Sequence, residues 1–180
     1  MFEGWGEYYL MIGSAGAVLI GLLFVVVTLT SEQERSTMLI GTSLYMSPIV
    51  LHCALVLVVS AAALAPVLEH AEVGLLCAAV AVIGIVTSVR VTRGILRGPM
   101  SPPPHWSDVW CYGVAPGICY LALAAVSEGL LTQAGWSALI LAATMLAILL
   151  VCIRNAWDLV TWLAPKSDTA LTAGETGQDR

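Results

Sequence analysis

Few residues in this chain have the capacity for chemistry, and His52 is the most isolated of them. It stands near the middle of a long apolar run, one helical turn after Pro48. An ionisable side chain at mid-depth in such a segment is costly and marks a candidate proton or ion pathway. A neutral imidazole also has a plainer use, a hydrogen bond to a carbonyl or hydroxyl of a neighbouring helix. No second ligand lies nearby at helical spacing, so no metal site is expected. Tyr45, Tyr120 and Glu128 join His52 as candidates for a polar core or pathway, and Tyr112, Pro116, Tyr120 and Glu128 fall near one helical stripe.

Arg154 and Asp158 are four residues apart with Asn155 beside them, so they share one helix face and form a candidate clamp or gate. An acid near a helix C-terminus opposes the dipole, and Arg before Asp is the weaker order for such a pair. Asp158 therefore needs compensation, and Arg90, Arg93 or Arg97 is the expected partner. The chain has no nucleophile elbow, phosphate loop, HExxH or paired intramembrane carboxylates. No catalytic residue, enzyme activity, cofactor or nucleic-acid partner is expected. Its five cysteines show neither CxxC nor Cys/His spacing, and they read as small apolar packing residues rather than disulfides or zinc ligands.

The elements that must hold these residues follow from composition. The chain is 59% hydrophobic and 11% charged, against about 45–50% apolar and about 25% charged in a soluble domain. Its mean hydropathy is +0.91. Several apolar runs reach the roughly 20 residues that carry a helix across a hydrocarbon core of about 30 Å. Continuous runs exclude the alternating segments of a β-barrel. The fold expected is all-α, an integral membrane bundle of about five transmembrane helices in a single domain over residues 1–165. The spans fall at about 8–30, 38–65, 73–89, 110–131 and 136–157 or beyond, followed by a disordered tail over 166–180. The N-terminus lacks the features of a removable signal peptide, so the first run is read as a span.

Lys and Arg favour cytoplasmic loops. In the five-span reading Arg35, Arg90, Arg93, Arg97, Arg154, Lys166 and Arg180 fall on one side, which sets the N-terminus outside and the C-terminus inside. Glu3, Glu7, Glu69, Glu72 and Glu128 fall on the other side with no basic residue to offset them. Such a face can concentrate cations if several subunits surround an axis, although outer loops also carry acids for purely topological reasons. In the first span Gly13, Ala17 and Gly21 recur every four residues and offer a face for close helix packing, within or between subunits. Pro48 and Pro116 each remove a backbone donor and are expected kink sites.

Two pieces, Met11-Ile12-Gly13-Ser14-Ala15-Gly16-Ala17 running into Gly21-Leu22-Leu23-Phe24-Val25, and Ile153-Arg154-Asn155-Ala156-Trp157-Asp158-Leu159-Val160, carry a family resemblance. Together with Trp106-Ser107-Asp108-Val109-Trp110, Tyr112 and Pro116, they resemble segments of uncharacterised small bacterial polytopic inner-membrane proteins. The resemblance implies multiple spans in a bacterial inner membrane and supplies no activity. The expected role is a homo-oligomer in the lipid bilayer, channel-like or transport-related with a preference for cations. The alternative is a non-catalytic scaffold or modulator of a larger membrane protein partner.

Overall fold

The computed structural model describes residues 4–30, 45–97 and 105–163. Within them the chain is helical throughout, with no strand. The helices are α1 (Gly6–Thr30), α2 (Ser47–Leu64), α3 (His70–Arg97), α4 (Trp106–Leu131) and α5 (Ser137–Leu163). All five are long and apolar enough to cross a membrane. Residues 38–44 of the expected second span, residues 98–104 and the expected tail lie outside the described residues, as do Glu3, Arg35, Lys166 and Arg180.

Successive helices run antiparallel, and the pairings show why. Gly13 and Gly16 let α1 settle on α2: a Cβ at Gly13 would meet Ser60 Cβ at 3.0 Å, and one at Gly16 would meet the Cys53 carbonyl at 3.2 Å. In lipid, where burying apolar surface gains little, such close approach matters because dispersion contacts must hold the helices. Gly74, Gly84 and Gly113 do the same for α3 against α4, meeting Ser127 and Leu130, Tyr120, and Thr92 in turn. The α1–α2 and α3–α4 pairs make the most extensive contacts, and α5 touches α1, α2 and α4. Large apolar side chains also cover the outside, among them Phe24 (64% exposed), Leu121 (61%) and Leu139 (60%). A surface of this kind suits lipid.

Two helices differ from the expected spans. α3 continues eight residues past Val89 to Arg97, so Arg90, Arg93 and Arg97 project from a helix. In α4, a single turn at Trp106–Asp108 leads into a π-helical stretch at Val109–Val114 before regular α-helix begins at Ala115. Pro48 and Pro116 both occupy the first turn of a regular α-helical segment, each preceded by π-type residues, rather than the interior of a regular helix. A widened turn accommodates the proline ring and the missing N–H.

The α4–α5 connection closes α4 with a paired C-cap. Ala134 N–H donates to the Gly129 carbonyl at 2.8 Å and Gln133 N–H to the Leu130 carbonyl at 3.2 Å. Gln133 takes φ +55° there, the position that glycine ordinarily fills.

Candidate functional site

The polar centre lies where α2 and α4 meet, at the mid-length of α3, α4 and α5. His52 Nδ1 and the Tyr120 hydroxyl are 2.7 Å apart in a hydrogen bond, with ring centroids at 5.3 Å. His52 is 2% exposed and Tyr120 is 0% exposed. The hydroxyl of a neighbouring helix thus occupies one imidazole nitrogen. The other, Nε2, is buried without a hydrogen-bond partner, whichever tautomer is present. Tyr120 reaches this position because Gly84 of α3 leaves space for its ring. In the same layer the buried thiols of Cys53 of α2 and Cys152 of α5 lie close enough to interact.

The four pathway candidates do not converge. Tyr45 packs edge-on against Tyr112, with centroids at 4.9 Å, toward the end of the bundle where Arg90, Arg93, Arg97 and Arg154 lie. Glu128 is exposed in the last turn of α4, eight residues from Tyr120, at the opposite end. Only His52 and Tyr120 meet.

Arg154, Asn155 and Asp158 do come together, but in a different arrangement from the expected ion pair. Asp158 makes no ion pair with Arg90, Arg93, Arg97 or Arg154 among the described residues; the Tyr112 hydroxyl lies 3.4 Å from its Oδ2 and 3.0 Å from the Asn155 carbonyl. Arg154 instead donates to Asn155 Oδ1 at 3.2 Å. α3 is held too close to α4, and too far from α5, for its arginines to serve Asp158.

Asn155 is the hub of this cluster, and the π-helix explains why. In a regular helix the Cys111 carbonyl would accept from Ala115 N–H, four residues on. Here Ala115 N–H donates to Trp110, five residues back. The Cys111 carbonyl is released, and Asn155 Nδ2 donates to it at 2.8 Å. Buried at 2% exposure, the Asn155 side chain satisfies a backbone group that the proline-bearing helix leaves open.

Of the small residues in the first span, Gly13 faces α2, while Ala17 is exposed and Gly21 has nothing within 4 Å of a would-be Cβ. Among the described residues, the glycines of α1 that meet α2 are Gly13 and Gly16 rather than the Gly13–Ala17–Gly21 repeat. Gly84, the Cys53–Cys152 contact and Tyr112 as a bridging donor went unrecognised in the sequence. Each depends on a partner in another helix, although the glycine and proline spacing of α4 gave a partial signal.

Charge is divided between the ends. Glu7, Glu69, Glu72 and Glu128 are exposed at one end, with no Lys or Arg among the described residues there. Arg90, Arg93, Arg97, Arg154 and Asp158 are exposed toward the other, with Asp108 half-buried among them. Among the described residues no three His, Cys, Asp or Glu side chains gather as a metal ligand set. Comparison with protein-family models, curated proteins and solved structures finds no match for this chain.

Proposed function

We propose that the chain is a multi-pass protein of a bacterial inner membrane, N-terminus out and C-terminus in, that acts as a homo-oligomer in a channel-like or transport role with a preference for cations. The observation that supports this most is His52: a mid-depth imidazole with one nitrogen held by Tyr120 and the other free to exchange a proton or meet a passing ion. The carboxylate-bearing end supplies the cation preference, attracting counter-charge to the outer face. The role is not enzymatic.

The test is flux into liposomes containing the purified full chain. Wild type is compared with His52→Ala, Tyr120→Phe and a set in which Glu7, Glu69, Glu72 and Glu128 become Gln. The reading expects ion- or proton-dependent flux that His52→Ala abolishes and the glutamine set reduces. Flux equal to that of empty liposomes across common cations and pH values would end it.

A second reading, a scaffold or modulator of a larger membrane protein, draws on the outward face of α1. There Ser14, Ala17 and Gly21 lie exposed among Leu10, Val18 and Leu22, a surface on which another helix can pack closely. Crosslinking in native membranes separates the two readings: a stoichiometric second protein favours the scaffold, self-assembly alone favours transport.

A further inference from the structure

A groove of about 250 Å³ runs along the outside of the bundle between α3 and α4. Ser88, Val89 and Thr92 form one wall, Gly113, Gly117 and Leu121 the other. Gly117 brings no side chain to the α4 wall, whereas Thr92 of α3 already packs over Gly113. The rim of the groove is open: Val89 is 41% exposed, Ile118 56% and Leu121 61%. Nearly all of its surface is apolar, yet the wall contains one buried polar atom without a hydrogen-bond partner, the Ser88 hydroxyl.

The basic end of α3 lies at the mouth of this groove. Arg93 follows Val89 by four residues and so stands on the same helix face one turn further along. Arg90, Arg93 and Arg97 are exposed and make no ion pair among the described residues. On α4, Trp110 precedes Val114 of the groove by one turn and is 51% exposed, which offers an indole N–H at the same level. The nearest carboxylate on α4, Asp108, is engaged by the Ser107 hydroxyl at 3.4 Å.

We propose that this groove seats one anionic glycerophospholipid, with its phosphate at Arg93 and Arg97 and an acyl chain in the cleft floored by Gly113 and Gly117. Charge complementarity selects the occupant. An apolar transmembrane partner helix would leave Arg93 and Arg97 without a counter-charge, whereas an anionic headgroup supplies one where basic residues and an interfacial tryptophan coincide. Ser88 lies five residues from Arg93, about 7.5 Å along the helix axis at 1.5 Å per residue, so it lines the path of a chain that descends from the phosphate. The seat does not depend on the transport reading.

The experiment is native mass spectrometry and lipid extraction on the full chain in mild detergent, after exchange with phosphatidylglycerol or phosphatidylcholine of identical chains. Wild type is expected to retain about one phosphatidylglycerol per chain in clear preference to phosphatidylcholine. Arg93→Gln and Arg97→Gln should each weaken that preference about fivefold. Gly117→Leu, which fills the cleft, should reduce retention of both lipids. The arginine variants alter only exposed positions and keep the test decisive if Gly117→Leu fails to fold. Equal retention of the two lipids by wild type, displacement of lipid by soluble glycerol phosphate, or an unchanged preference in the arginine variants overturns the proposal.

Discussion

Gly84 of α3 and Tyr120 of α4 meet so closely that a Cβ on the glycine would collide with the Cγ, Cδ1 and Cδ2 atoms of the ring. The colliding atoms belong to the rigid, fully buried part of the tyrosine, which has no flexible end to yield. Gly84→Ala should therefore separate the helices locally and lower stability by about 1–3 kcal/mol, the usual cost of overpacking. Thermal unfolding in detergent measures this. Combining it with Tyr120→Ala should give back part of the loss, because the clash disappears; full additivity of the two losses would mean that the ring is not what Gly84 accommodates.

The His52–Tyr120 bond is expected to couple α2 to α4 energetically. Tyr120→Phe leaves both imidazole nitrogens unpartnered, and His52→Leu leaves the tyrosine hydroxyl in the same position. Each single change should cost about 1–3 kcal/mol, and the pair should cost less than their sum by about 0.6–2 kcal/mol. A double-mutant cycle on chemical unfolding reads the difference directly.

Asn155 should matter because of the π-helix rather than because of Arg154. Asn155→Leu strands the Cys111 carbonyl and is expected to cost about 1–3 kcal/mol. Pro116→Ala restores a backbone N–H and permits regular helix, in which Ala115 can again serve Cys111. The Asn155→Leu penalty should shrink in the Pro116→Ala background, as measured by unfolding free energies and by amide exchange at Ala115.

Gln133 adopts a left-handed conformation at the end of α4, at a cost that glycine would not incur. Gln133→Gly should raise stability by about 0.5–1 kcal/mol while leaving the two capping bonds intact. Thermal unfolding tests the sign. A loss of stability would show that the Gln133 side chain makes a contribution larger than its backbone strain.

Long apolar runs made the five helices legible, because nothing else satisfies a backbone in lipid over that length. The end of α3 was not: the expected span stops at Val89, yet the helix continues to Arg97 with its arginines on the outside. His52 could be singled out as a polar residue with a need for a partner, but not Tyr120 as that partner, since the pairing crosses 68 residues. Asn155 was visible as a candidate only beside Arg154 and Asp158. Its bond to Cys111 depends on a hydrogen-bond register five residues wide in another helix, which single-residue spacing does not encode. The four-residue repeat of Gly13, Ala17 and Gly21 identified a face, but not which of its residues pack within the chain: Gly13 meets Ser60 of α2, while Ala17 and Gly21 face outward.

α5 closes contacts begun by three earlier helices. Tyr8 of α1 donates to the Ala142 carbonyl at 2.7 Å, Cys53 of α2 touches Cys152, and Cys111 of α4 receives Asn155. All three of those helices precede α5 in the chain. The α1–α2 and α3–α4 pairs therefore both precede the helix that their polar groups need. The α5 seam is completed last in chain order: a chain ending at Leu131 would leave the Tyr8 hydroxyl and the Cys111 carbonyl without the partners that α5 supplies.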